Sequence, residues 1–154
     1  MNFFDYLDIQ KQEDRQAFLI HGPARAGKSR FVQQACQLRS GLFLLDLLEQ
    51  FGAIPNLKLR DFRSEPLQRY LLQYTCPPGT HTLLVDNGDF LFNTWSHGDK
   101  NDLIQWMRYS LRTPAVIDKT LILVVQTDGV FSAANLLNDQ GNSRILALSN
   151  FEAL

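Results

Sequence analysis

Lys28 and Ser29 close the run Gly22-Pro23-Ala24-Arg25-Ala26-Gly27-Lys28-Ser29, which sets two glycines, a cation and a hydroxyl at the spacing G-x-x-x-x-G-K-S. Those residue types at that spacing suit a chain of phosphates. Residues 22 to 27 can wrap the anion with backbone N–H groups, and a side chain near either glycine would block the approach. A helix beginning at about Lys28 aims its positive end at the same place. The Lys28 ammonium then reaches the β- and γ-phosphates, and the Ser29 hydroxyl is placed to ligate Mg²⁺. Further along, Thr82-Leu83-Leu84-Val85 ends in Asp86, followed by Asn87, Gly88 and Asp89. The C-terminal end of a strand is where α/β sheets bind their ligands. An aspartate there holds the same cation, directly or through water.

Those side chains need a scaffold, and apolar patterning predicts one. Strands are expected at about Ala17 to His21, Leu42 to Asp46, Thr82 to Asp86, Thr120 to Thr127 and Arg144 to Leu148. The near-continuous apolar runs fit parallel strands covered on both faces. Helical spacing predicts helices over Lys28 to Leu38, from Ser64 with Pro66 in the first turn, over about Lys100 to Leu111, and a short one from Phe131 to Leu137. Residues 52–63, with Gly52 and Pro55, read as a connection. Phe3, Phe4 and Tyr6 fit a short helix packing on the sheet edge. Core packing is the default use of such aromatics, and a wall for an adenine ring is the alternative. Trp106 likewise reads first as core and second as a partner surface.

The first motif is the P-loop, or Walker A; the strand ending in Asp86 fits Walker B. Five strands alternating with helices, with the P-loop after the first and Walker B on the third, resemble the additional-strand ATPases. The Gly22-Pro23 opening brings the likeness closer to the AAA+ core. That resemblance implies ATP and Mg²⁺ as cofactors. It implies a three-layer α/β fold with a five-stranded parallel sheet in the order 5-1-4-3-2. It assigns Gly22, Pro23, Ala24, Arg25, Ala26, Gly27, Lys28, Ser29 and Arg30 to the phosphates, and Ser29 and Asp86 to the metal. In AAA+ rings an arginine just before strand five reaches a neighbouring subunit's γ-phosphate, and Arg144 holds that position; a surface arginine on a turn is the plainer use. Many P-loop ATPases follow the Walker B Asp with a Glu that polarises the attacking water. Here Asn87 stands there, and a carboxamide cannot take a proton as a base. Asp89 is the substitute if the loop bends; Asn87-Gly88 as a simple turn is the alternative. Gln126 and Thr127 arrive where a γ-phosphate would sit. Firm ATP binding with slow hydrolysis is therefore expected.

Composition bounds the rest. With 154 residues, one domain over 1–154 is expected, residues 1–16 flanking the nucleotide site. A formal net charge of −1 gives no overall electrostatic attraction for nucleic acid, so DNA contact through Arg108 and Arg112 has little support. Cys36 and Cys76 have no metal-ligand spacing, and with a P-loop they suit a reducing cytoplasm. No apolar run spans a bilayer and no secretory leader is evident. The helical lid that follows strand five in AAA+ proteins has no counterpart in these residues. Size, the missing lid and the loop's form also resemble the BrxF family, the small P-loop proteins of type-3 BREX phage-defence systems. That likeness implies a cytosolic component of a bacterial defence complex with other BREX proteins as partners. Self-association through the nucleotide interface is expected of an ATP-dependent switch. A small-molecule or nucleotide kinase, with Arg60-Asp61-Phe62-Arg63 as its arginine segment, and a non-hydrolysing ATP-bound scaffold are the competing readings. GTPase motifs are absent: Asp89 stands where D-x-x-G needs glycine, and Gln126-Thr127-Asp128-Gly129 is not N-K-x-D.

Overall fold

The computed structural model describes residues 1–154. Five strands form one sheet: β1 (Ala17–Gly22), β2 (Leu42–Asp46), β3 (Thr82–Asp86), β4 (Thr120–Gln126) and β5 (Ile145–Ala147). All pairings are parallel, in the order β2-β3-β4-β1-β5. Read from the other edge this is 5-1-4-3-2, the expected order. Six α-helices accompany the sheet: α1 (Phe3–Gln10), α2 (Lys28–Leu38), α3 (Leu47–Gly52), α4 (Ser64–Gln73), α5 (Asp89–Phe92) and α6 (His97–Gln105).

Strand periodicity divides the core into two. In β4, Leu121, Leu123 and Val125 face the side packed by α3 to α6, while Ile122 and Val124 face the side packed by α1 and α2. Successive side chains of a strand point to opposite faces, and here helices cover both. The result is a three-layer sandwich. Each fully buried Leu or Ile in it contributes about 1.5–3 kcal/mol.

Several local expectations change. The N-terminal helix forms, capped by Asn2, whose Oδ1 accepts the N–H groups of Phe4 and Asp5. It lies on a face of the sheet rather than its edge, with Phe3 packed on Phe31 and Phe151, and Tyr6 on Phe18. Residues 131–137 are a turn running into irregular chain, not a helix. The Asp128 carboxylate accepts the N–H groups of Val130 and Phe131 as an N-cap would, but the backbone further on bonds outward: the Leu136 carbonyl accepts the Arg144 N–H, and Leu137 bridges antiparallel to Ser143. The helix expected from Lys100 starts at His97, where Ser96 caps it, and passes into a π-helical turn over Trp106–Ser110. Residues 47–51, unassigned from sequence, together with Gly52, expected in the connection, form α3. Trp106 is buried in the core. No helix is long and apolar enough to cross a membrane.

Candidate functional site

The first wall of the site is the turn between β1 and α2. Arg25 and Gly27 have φ of 62° and 85°, both left-handed. Alternation of that kind curls a loop so that successive N–H groups converge on one side, an anion-binding nest. Glycine suits the second position because a Cβ is strained there. The N-terminus of α2 receives no side-chain cap, unlike those of α1, α3 and α6. Its first-turn N–H groups are left for another acceptor. The Lys28 ammonium folds over the loop, donating to the carbonyls of Gly22 at 3.0 Å and Pro23 at 2.9 Å.

The second wall comes from strand register. Asp46 of β2 pairs with Asp86 of β3, and Gly22 of β1 with Gln126 of β4, all at the same end of the sheet. Ser29 Oγ donates to Asp86 Oδ2 at 2.7 Å, joining the two motifs across 57 residues of chain. A longer contact, 3.3 Å, runs from Ser29 Oγ to Asn87 Oδ1. Asn87 is left-handed, with φ of 57°, a conformation asparagine tolerates better than most residues. Its Nδ2 donates to Asp46 Oδ2 at 2.8 Å. Because a carboxylate only accepts, this bond fixes the amide's orientation and turns Oδ1 toward Ser29. Asp46 Oδ1 meanwhile accepts the N–H of Glu49, capping α3. Gly88 follows where a Cβ would meet Phe92 at 2.8 Å; its φ of −92° is open to any residue, so close packing is what calls for glycine. Asp89 lies at the start of α5, and its Oδ1 accepts the Gln126 N–H at 2.9 Å.

Together these residues line a cleft of about 420 Å³ that runs from Ala24 to Arg30 on one side and includes Asp86, Asn87, Asp89 and Gln126 on the other. A second pocket of about 370 Å³ adjoins it, sharing Ala26 and lined by His21, Gly22, Pro23, Thr127, Ala147, Leu148 and Ser149. His21 Nδ1 and Thr127 Oγ1 are 2.9 Å apart, and burial holds the imidazole pKa below its ordinary value, against the opposing pull of Asp128. No group of three or more His, Cys, Asp or Glu could hold a metal by itself. A cation at Ser29 and Asp86 would take its other ligands from phosphate and water, as Mg²⁺ does. Ser29 fits that use, since donating its proton to Asp86 leaves its lone pairs free.

Other expected residues lie elsewhere. Arg144 is neither on the surface nor at the cleft. It is 3% exposed, just before β5, at the opposite end of the sheet from the P-loop. Its Nε donates to the Leu137 carbonyl and its Nη1 to those of Arg15 and Ala17, each at 3.1 Å. A guanidinium enclosed this way cannot reach a neighbour's phosphate, which corrects that expectation. Thr127 lines the adjoining pocket, while Gln126 faces the cleft. Phe3 and Tyr6 are buried, and the Tyr6 hydroxyl donates to the Ser143 carbonyl. Neither they nor Phe4 line the cleft or the pocket beside it. Arg60 and Arg63 border a separate cleft together with Asp61, Glu65, Asp99 and Asp102, so acids offset them. Asp46 and His21 were not among the residues singled out from sequence. Asp46 had a signal: like Asp86, it ends an apolar strand. His21 had a weaker one, as a polar residue closing an apolar strand beside Gly22.

No family model matches the chain, and no curated protein matches it. Among solved structures, a chain in the structure of Drosophila ORC bound to DNA is similar, with a TM-score of 0.39 and 15% identity, over 90% of this chain and 38% of that one. The present chain thus spans well under half the length of that neighbour.

Proposed function

We propose that the chain binds Mg²⁺·ATP in the Lys28–Asp86 cleft, hydrolyses it slowly by itself, and serves as a nucleotide-dependent switch or assembly component. The observation that carries this reading is the 2.7 Å bond from the Ser29 hydroxyl to Asp86, beneath a left-handed loop and an uncapped helix N-terminus. Residues from Gly22 to Arg30 receive the phosphates. Lys28 exchanges its two loop carbonyls for phosphate oxygens. Ser29 and Asp86 hold Mg²⁺, which when bound offsets charge on the outer phosphates. The adjoining pocket, walled by Pro23, Ala26, Ala147 and Leu148, suits an adenine base.

Slow turnover follows from the groups near the terminal phosphate. Asn87 can orient a water but cannot deprotonate it, and Asp46 holds its amide in place. Asp89 has one carboxylate oxygen tied to the Gln126 N–H. The same features favour a second reading, ATP as a structural ligand of a scaffold. The BrxF resemblance supports a defence-complex setting, with self-association and other BREX proteins as partners.

The test is equilibrium binding and turnover of ATP over a protein concentration series. The wild-type chain should bind ATP only with Mg²⁺ present and turn it over slowly. Lys28→Ala should weaken binding by more than about tenfold. Turnover per subunit that rises with concentration would support a site completed by a neighbour. Equal ATP binding by wild type and Lys28→Ala would overturn the proposal.

A further inference from the structure

The same cleft holds two arginines that the chain leaves without carboxylate partners. Arg25 and Arg30 both line it, and neither enters an ion pair. Arg39, by contrast, pairs with Asp8. Arg25 is the more telling. It is exposed at the tip of the loop with φ of 62°, a left-handed conformation that is unfavourable for a residue with a Cβ. Glycine or asparagine would hold the same turn at less cost. A strained, unpaired guanidinium above a phosphate-binding turn points to a ligand that needs it there.

Its place along that ligand follows from the two cavities, on the nucleotide reading above. A base in the pocket of His21 and Leu148 sends the phosphates past Ala26, which lines both cavities, into the cleft bounded by Asp86 and Asp89. Arg25 lines the cleft, with Asp86, Asp89 and Gln126, and not the base pocket, which sets it beside the phosphates and away from the base. We propose that Arg25 binds the γ-phosphate of the nucleotide held by its own chain, so that the loop itself distinguishes triphosphate from diphosphate. The guanidinium fork matches two phosphate oxygens at once, which an ammonium does not. This supplies in cis the cation that Arg144, enclosed by its own chain, cannot supply to a neighbour.

The experiment measures Mg²⁺-dependent binding of the non-hydrolysable ATP analogue AMP-PNP and of ADP to wild type, Arg25→Ala, Arg25→Lys and Lys28→Ala. Arg25→Ala should weaken AMP-PNP binding by about thirtyfold and ADP binding by less than about threefold. Arg25→Lys should fall between wild type and Arg25→Ala. Retained ADP binding shows that the variant is folded. Parallel losses for both nucleotides, or no loss for either, would overturn the assignment. Recovery of AMP-PNP affinity on mixing Arg25→Ala with Lys28→Ala chains would put the guanidinium on a neighbour's nucleotide and overturn the cis placement. If Lys28→Ala loses both nucleotides while Arg25→Ala loses neither, the binding reading stands and this inference alone fails. Absence of nucleotide binding by wild type overturns both.

Discussion

Arg144 donates to carbonyls from two separate segments, Leu137 in one and Arg15 and Ala17 in the other. Those oxygens sit at the N-terminal end of the sheet, where β1 and the turns before β5 meet. Burial pushes the guanidinium pKa down, and the nearby Tyr6 phenol opposes that shift. The side chain therefore works as an internal clamp. Arg144→Ala strands several carbonyls at once and should lower unfolding free energy by about 2–4 kcal/mol. Urea denaturation checks this, and Mg²⁺·ATP affinity of the folded variant should stay within about threefold of wild type. Lost affinity with unchanged stability would return Arg144 to the nucleotide site.

Among the elements, α3 is tied to the candidate site through a side chain that also caps it. Asp46 caps α3 with one oxygen and holds the Asn87 amide with the other. A disturbance of α3 thus reaches the residue that faces Ser29. Asp46→Ala removes both bonds and should cost about 1–2 kcal/mol by chemical denaturation. Asp46→Asn should cost less, since asparagine is a comparable cap. Equal stability of Asp46→Ala and wild type would mean that neither bond persists in solution. Residues 131–137 make the complementary point: the backbone at Leu136 and Leu137 is bonded to Ser143 and Arg144, and not along a helix.

Across the whole molecule, acid sensitivity should arise at opposite ends of the sheet. His21 closes β1 at the P-loop end, and His81 precedes β3 at the other. Burial lowers the pKa of each; Asp128 opposes this at His21, and the Lys11 ammonium reinforces it at His81. A histidine with a folded-state pKa below its unfolded value stays neutral in the native protein. Its contribution is present above the unfolded pKa, near 6.5, and is lost as pH falls through the lower folded value. Glu13, raised by burial, acts with the opposite sign. Wild-type stability should therefore decline more steeply than that of the His21→Gln/His81→Gln double variant between about pH 7.5 and 5.5. Denaturant midpoints across that range provide the check, and parallel profiles would remove the histidines from the account.

The residues that most constrain this chain act over short sequence distances, and those were legible without coordinates. Apolar runs located all five strands because a strand covered on both faces needs little beyond its own side chains. The run from Gly22 to Ser29 carried one of its two left-handed positions in Gly27, while nothing in the residue types marked the other, at Arg25. The sheet order came from the resemblance that motif and alternation suggested, and the register supplied what they could not. Asp46 meets Asn87 across 41 residues, and Arg144 meets the Arg15 carbonyl across 129. Nothing local distinguishes a clamping arginine from one that reaches a phosphate, since both precede a strand on a turn. Only packing decides, because burial compels a guanidinium to find acceptors inside the chain, while an exposed one at the loop tip keeps its donors for a ligand.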